Sequence, residues 1–509
     1  MINKFVIVGG GTSGWITAMS LFREMENCHI YLIDKGQNDS VGVGEATLLG
    51  FDDFMSGYCE FDEKEWKKAL DAVPKAGILF PGWGKASDQI WHPFYFPQIR
   101  DVPIWDALSH TDESIREYLP LYDSSMKNEV DPGDIEFMQD GKKTSSYAWH
   151  VDCGKLVTYI KNFLETHCPT FSYIEGEVGN INRWEDGSIR SLVCKHGEEI
   201  AGDVFFDCSG FKSILKDHRD KVDLKGRLFV DTAVAGHIPY LNEGDCKCDG
   251  GDNSEKHPYV SCPAVDHGWI WKIPLQSRIG SGMVFNRSIT DPEEAKDYFV
   301  DYWDGRVDRD SLSIIDWSPY YDKNIWDKNV ISIGLAAGFI EPLESTGVAL
   351  IIEGVCKATE ILKGRYFNNF DIDIYNAYLV NLFENCADFV SMHYDLSIHE
   401  SKFWDYVRDT FEPSDYQRLF KDNINSPATS IVEGKPGMFG GSNWLYWMLQ
   451  MGYPTSVKSE PSPLVGIKLI DDYKNHIKKM YEEIPSVPLN EYLKGDGSKS
   501  IRIVPQPPQ

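Results

Sequence analysis

Short apolar runs set against glycine-rich turns alternate with segments of helical periodicity along most of the chain. Phe5-Val6-Ile7-Val8 is the first run, unbroken enough for a strand buried on both faces. Ile30 to Ile33, Val204 to Phe206 and Val330 to Ile333 repeat the pattern. In GWIWKIP, Gly268 to Pro274, alternate side chains of an extended segment share a face, so Trp269 and Trp271 point together and Pro274 ends the run. Arg278 to Asn286 reads as a further strand. Helical spacing places Phe51, Phe54, Met55 and Tyr58 on one face, then Asp62 and Glu65 as a cap for the helix carrying Trp66, Ala69 and Leu70, broken at Pro74. A helix is expected over 148–164, and another in which Val348, Leu350, Ile351, Val355, Ala358 and Leu362 form a broad apolar face. Strands alternating with helices predict an α/β fold.

The first strand runs into Gly9-Gly10-Gly11-Thr12-Ser13-Gly14, which fits GxGxxG at Gly9, Gly11 and Gly14. The first glycine allows a tight turn, the second a close approach of a pyrophosphate, and the third close helix–strand packing. Thr12 and Ser13 open a helix whose free N–H groups suit phosphate. Asp34 ends the second strand 20 residues after Gly14 and is placed to hold a ribose hydroxyl. Strand, glycines, helix, strand and acid in that order predict dinucleotide binding, with NAD and FAD both open. Asp39 to Gly50 adds a second glycine-rich stretch around Gly44, Glu45 and Ala46, and Gly334 to Gly338 supplies pliant backbone after a buried strand.

The 509 residues allow two or three domains, and 42% apolar content suits a folded protein. Composition mainly removes partners: Lys+Arg of 50 against Asp+Glu of 78 gives a net charge of −28, which repels nucleic acid and anionic membranes. Eleven cysteines show no CxxC, and the close pair Cys246 and Cys248 lies in an acidic, glycine-rich loop. Reduced thiols in a cytoplasmic protein are expected, with no metal. His393 and His399 are six apart and share no helix face. Neither a leader peptide nor a membrane-length apolar run is found.

Three features carry further chemistry. Lys75 stands between the expected helix and the apolar run GILF, where a surface lysine is the ordinary use. Glu344 precedes Ser345, Thr346 and Gly347 at the start of the apolar-faced helix, a natural anion site where a carboxylate ordinarily caps. The Trp269–Trp271 pair can be plain core or a wall. The stretch 90–147, irregular and aromatic with His92 and Phe94 near its start, reads as a substrate cap. The polar stretch 426–442 interrupts helices that otherwise fill 364–484, and 485–509 reads as a trailing arm.

GGGTSGW at 9–15, VGVGEAT at 41–47, KAGILFPGW at 75–83, HPF at 92–94, FFDCSGF at 205–211, GWIWKIP at 268–274 and GFIEPLESTG at 338–347 together make the sequence resemble the flavin-dependent halogenases of the tryptophan-halogenase type. The resemblance implies a flavoprotein monooxygenase-like FAD-binding fold over 1–363 with a mostly helical substrate-binding region behind it. It implies that FADH2, O2 and halide yield hypohalous acid, which passes through a tunnel to Lys75, with Glu344 beside it. Thr346 and Gly347 correspond to the backbone positions that hold halide. His92, Phe94, Trp269, Trp271 and Ser345 fall on the tunnel and substrate side. Gly9, Gly11, Thr12, Ser13, Gly14, Asp34, Gly44, Glu45, Ala46 and Gly334 fall on the cofactor side. No second dinucleotide fingerprint is found, so a separate flavin reductase is the implied partner; a homo-oligomer is left open.

The chain departs from members that act on free tryptophan. Their Tyr-Tyr pair and Glu followed by Phe-Trp are not found, and SNWLYW at 442–447 stands in that region. Leu49 replaces the proline usual after GEAT and one residue. These departures imply an electron-rich aromatic such as an indole or phenol, unclamped or carrier-bound, rather than free tryptophan. A flavin monooxygenase inserting oxygen, or a flavin-binding protein without catalysis, are the alternative readings.

Overall fold

The computed structural model describes residues 2–36, 44–84, 89–94, 98–99, 102–103, 121–130, 137–139, 142–144, 147–241, 255–395, 397–423, 437–451, 475 and 487–494. Lys4–Val8 is the third strand of a six-stranded sheet ordered Phe171–Glu175, His29–Asp34, Lys4–Val8, Val204–Asp207, Val330–Ser332, Trp326–Asp327. All neighbours are parallel except the last pair. Phe5, Val6 and Ile7 are fully buried, as unbroken apolar runs in a covered parallel sheet must be. The Thr12–Glu24 helix crosses from the first strand toward the second and packs on the Thr346–Leu362 helix.

The glycine turn shows why the fingerprint has its spacing. Gly9 has φ +113, and a Cβ there would fall 2.2 Å from the Cys208 carbonyl oxygen. A Cβ on Gly14 would lie 1.9 Å from the Gly9 oxygen, whereas at Gly11 it would meet nothing within 4 Å. Two glycines thus allow backbone contacts, and the third leaves room. Gly10, to which the pattern assigns no role, is equally constrained: its Cβ would lie 2.4 Å from Asp34 Cγ.

A second, mostly antiparallel sheet carries the two indoles. Its path runs Ser313–Asp316, Thr232–Ile238, Ile279–Phe285, Gly268–Pro274, Val260–Ser261, Gly77–Pro81, Gln89–Pro93. The expected strand over 268–274 is found with those bounds. Between the two large sheets sits a small one in which Ala148–Val151 pairs antiparallel with both Glu45–Ala46 and Val73–Lys75.

That small sheet corrects the helix expected over 148–164. Ala148–Val151 is fully buried strand, and the helix starts only at Cys153 because Asp152 caps it, accepting from the Lys155 N–H. The expected helix around 51–58 is a short α-turn, Gly50–Asp52, that continues as a π-helix, Asp53–Tyr58. Asp62 caps the next helix through the Glu65 N–H, but that helix ends before Pro74, which lies in a strand instead.

The main hydrophobic core runs without a break from Phe5 to Met451, so the helices Asn369–Met392, Lys402–Thr410 and Gly441–Met451 pack on the same core as the sheets. Much of the expected cap at 90–147, Cys246, Cys248, and most of the 426–442 stretch lie outside the described residues. The expected trailing arm is docked in part: Val487–Pro488 pairs with Glu129–Val130 and Leu489 is buried. No described helix is long and apolar enough to cross a membrane.

Gly10→Ala forces its Cβ against the Asp34 carboxylate and so displaces either the turn or that side chain. The expected outcome is a destabilisation of about 1–3 kcal/mol, a typical scale for overpacking, and FAD binding weakened at least about tenfold. Chemical denaturation and titration with FAD by fluorescence check both; Gly11→Ala, with open space around it, should leave stability nearly unchanged.

Candidate active site

One short turn organises the chemistry. Pro342–Glu344 forms a single 3-10 turn, Ser345 takes a left-handed conformation at φ 60, and the Thr346–Leu362 helix follows at once. Left-handed backbone at a non-glycine residue costs about 1–2 kcal/mol, and here it turns three successive groups in different directions. Glu344 points to two histidines, Ser345 to Lys75, and the Thr346 and Gly347 backbone opens at the helix start. No side chain caps that helix and its first turn holds no acid. Its leading N–H groups are therefore available to an anion.

Lys75 is fully buried. Its Nζ donates to the Thr47 carbonyl oxygen at 2.9 Å and to Ser345 Oγ at 2.8 Å, and lies 4.7 Å from the centre of the Phe94 ring. All three are uncharged. Burial, only partly offset by Glu344, Cys262 and Glu45, brings the Lys75 pKa down to about 7. The residue is thus no surface lysine; pairing of Val73–Lys75 with Ala148–Val151 carries it inward. Thr47 is held in turn by the Trp149 backbone, with which it exchanges hydrogen bonds through both its N–H and its hydroxyl.

Glu344 is also fully buried. His92 Nδ1 lies 2.8 Å from Oε2 and 3.0 Å from Oε1, and His393 Nε2 lies 2.5 Å from Oε1. Burial alone would raise this carboxyl, but His92 and His393 outweigh it and hold the pKa down to about 2. His92 therefore binds Glu344 rather than forming a bare aromatic wall; Phe94, two residues on, lies against Lys75. His393 went unassigned in the sequence because it follows the end of a long helix, Asn369–Met392, and its partner is 49 residues away. Among the described residues no His, Cys, Asp or Glu group has a metal-binding arrangement.

The indoles are positioned by groups to which the sequence assigned no role. Trp269 Nε1 donates to Tyr394 Oη at 3.0 Å, and Tyr394 donates to the buried carboxyl of Glu341. Burial, only partly offset by hydrogen bonds from Tyr394 and Trp269 and by no cation among the described residues, raises the Glu341 pKa to about 8, which favours its protonated form at neutrality. Trp271 lies over Gly282, where a Cβ would fall 2.2 Å from its ring. The two ring centres are 6.3 Å apart at 62°.

The cofactor side gathers at the carboxyl ends of the first sheet, as ligand sites in open α/β sheets do. The Thr12–Glu24 helix has no side-chain cap and no acid in its first turn, and Gly11 leaves its approach open, so Gly11, Thr12 and Ser13 fit a pyrophosphate. Gly334, at φ +65, approaches Ser13 closely, with its Cβ position 3.0 Å from Ser13 Cβ. Asp34 is partly engaged: Oδ1 accepts from the Gly10 N–H, and Oδ2 from the Gly36 N–H and the Tyr173 hydroxyl. It fastens the glycine turn to the second strand. Gly44, at φ +86, leads into Glu45 and Ala46, which pair with Val151 and His150.

A cradle suited to a dinucleotide on one sheet and a separate buried lysine and carboxylate are thus joined in one fold. The family model for tryptophan halogenases matches residues 4–464, and the chain belongs to that family. Its relatives include tryptophan 7-halogenase RebH of Lentzea aerocolonigenes, 27% identical with 97% of this chain and 98% of the relative covered. Tryptophan 6-halogenase ThaL of Streptomyces albogriseolus is 29% identical, covering 79% of this chain and 78% of its own length. The fold is similar to that of Xcc4156, a flavin-dependent halogenase from Xanthomonas campestris, with a TM-score of 0.84, 24% identity, and 99% and 100% of the two chains covered. The chain is a flavin-dependent halogenase, an oxidoreductase using FADH2, O2 and halide.

Two outcomes follow from these partners. Between about 7 and its usual 10.5 the unfolded chain holds the Lys75 proton that the folded chain has lost. Stability should therefore rise with pH across that window as far as Lys75 contributes. Lys75→Met should melt no lower than the parent near neutrality, and any gain should shrink above the upper limit; thermal melts at the two ends test this. Tyr394→Phe leaves Trp269 Nε1 and Glu341 without their shared partner and should cost about 1–3 kcal/mol. Denaturation curves measure that loss, with Tyr366→Phe, at an exposed ring, as the surface control.

Proposed function

We propose that the enzyme halogenates an electron-rich aromatic ring, indole- or phenol-like, at a chamber bounded by Lys75 and Glu344. The observation that supports this most directly is a buried lysine whose hydrogen bonds go only to neutral oxygens. Such a lysine can turn toward an incoming oxidant without breaking an ion pair. Bound reduced flavin supplies, with O2 and halide, the oxidised halogen as hypohalous acid. The Gly11–Gly14 turn and the Thr12–Glu24 helix start would hold that cofactor, and the Thr346 and Gly347 backbone would hold halide near it.

Lys75 receives the hypohalous acid after it leaves the flavin side through a tunnel. As an ammonium it donates a hydrogen bond to the oxygen and makes the halogen more electrophilic; as an amine it forms an N–halogen bond and water leaves. A pKa of about 7 keeps both forms within reach. The ring then takes the halogen, and its displaced proton goes to the Glu344 carboxylate, which is ionised for that task. Net, ring C–H and hypohalous acid give ring C–halogen and water. Trp269 and Trp271 separate ring from flavin, which favours halogenation over direct oxygen insertion.

The residues beside the Lys75–Glu344 cluster bear on the substrate class. The Gly441–Met451 helix sends Asn443 to His92 and stacks Trp447 on His393, so this helix braces the catalytic turn. A free or carrier-bound ring without an amino-acid clamp fits that arrangement better than free tryptophan. Reduced flavin comes from a separate reductase, as is typical of this family, and the described residues form one dinucleotide cradle.

Purified protein with FAD, a flavin reductase, NADH, O2 and each halide should convert members of an indole and phenol panel to halogenated products, read by mass spectrometry. Lys75→Ala should lower product at least about a hundredfold while flavin oxidation continues, and Glu344→Gln should lower it about a hundredfold, the usual scale for removing a general base. Products gaining only oxygen would overturn the reading.

A further inference from the structure

The hydrogen bonds around Glu344 fix where protons stand. The Gly440 N–H donates to Asn443 Oδ1 at 3.0 Å, which orients that amide and leaves Nδ2 facing His92 Nε2 at 3.0 Å. Since the amide nitrogen can only donate, His92 Nε2 accepts, and the His92 proton sits on Nδ1, directed at Glu344. His92 is thus a neutral donor. His393 differs: its Nδ1 lies 2.8 Å from the Phe389 carbonyl oxygen, which can only accept, so Nδ1 carries a proton. Its Nε2 faces Glu344 Oε1 at 2.5 Å. A lone pair on both sides of that contact would repel, so one more proton lies between them.

Two placements satisfy that count: a neutral carboxylic acid with a neutral imidazole, or a carboxylate with an imidazolium. Burial favours neutral His393, while the adjacent carboxylate and the Trp447 indole favour its cation. Trp447 stacks on His393 with ring centres 3.7 Å apart at 26°, and an indole face stabilises a cation. His92 donates a second hydrogen bond to the same carboxyl, which also favours its ionised form.

Resting on the proposed roles of Lys75 and Glu344, we propose that His393 is a positioning residue: an imidazolium that orients Glu344, cancels its charge inside the protein, and so leaves Lys75 without an effective counter-ion. His393 does not touch the reacting ring or halogen. It sets the charge that Lys75 feels. The other titratable groups facing the pair are His92, Lys75, and the thiols of Cys262 and Cys386, both raised by burial and neutral. Glu45 and His150 face Lys75 from the small sheet.

Long-range proton–nitrogen correlation spectra of protein labelled with 15N-histidine test the placement directly, with His393→Gln and His92→Gln identifying the two signals. The expected result near neutral pH is two protonated nitrogens on His393 and one on His92. An unprotonated Nε2 on His393 overturns the proposal. The second arm is the pH dependence of halogenation by the parent and by His393→Gln, after melting curves establish that the variant is folded. Without the imidazolium, the Glu344 charge acts on Lys75 uncancelled, and the midpoint of the neutral-range transition should move up by about one unit, a tenfold change in proton concentration. A variant that is only slower, with an unmoved midpoint, shows a purely structural histidine and overturns the proposal. Should His393→Gln not fold, Glu344→Gln replaces it: conversion of His393 to a singly protonated ring in its spectrum is expected, and a persistent imidazolium is the contrary result. Parent protein that makes no halogenated product leaves the spectra to decide the proton placement and counts against the proposed function alone.

Discussion

The buried charge of Lys75 is the constraint on which the rest of this site depends. Taking an ammonium out of water is expensive, and a carboxylate in direct contact is the usual remedy. Here the remedy is withheld: Lys75 bonds to a backbone carbonyl and a hydroxyl, and the nearest carboxylate in the catalytic turn is held by two histidines. An ion pair would lock the lysine and raise its pKa. Burial lowers the pKa toward neutrality, and neutral acceptors, unlike a contacting carboxylate, do not fully restore it, which leaves the amine chemically available at the expense of stability. Such a residue persists only because the surrounding framework, two large sheets and a shared core, over-determines its position.

The same turn separates two acids by environment. Glu341 and Glu344 are three residues apart and both fully buried, yet one is pushed up to about 8 and the other held down to about 2. Burial acts on both in the same direction. The difference lies in the partners: Glu341 accepts from a phenol, Glu344 from two imidazoles. A neutral acid is suited to holding Tyr394 and through it Trp269, whereas an ionised one is suited to taking a proton from a ring. One short segment thereby carries one neutral and one ionised carboxyl, set apart by their partners alone.

Much of this was legible in the sequence, and the limits were physical. The strand over 268–274 was visible because alternation, glycine and proline agree on one register. The glycine turn was visible because each glycine answers a local backbone contact. Lys75 and Glu344 were found through the segments around them, since periodicity alone makes one a surface lysine and the other a helix cap. The strand Ala148–Val151 was missed because its partners, Glu45–Ala46 and Val73–Lys75, lie far away in sequence and outweigh the helical spacing that continues after it. His393 and Tyr394 fit the family resemblance as a dipeptide, but no role could be assigned to them, because their partners Glu344 and Glu341 lie 49 and 53 residues earlier.

Those long-range partners tie the C-terminal helices to the Lys75–Glu344 cluster and its neighbouring indoles. Asn443 fixes the His92 tautomer, Trp447 stacks on His393, and Tyr394 holds Trp269. Each reaches a buried residue, so the inward surfaces of these helices are constrained by specific hydrogen bonds and stacking and not by burial alone. A substitution on the inward face should disturb every substrate alike, because it alters the protonation and placement of Glu344 before any ring is bound.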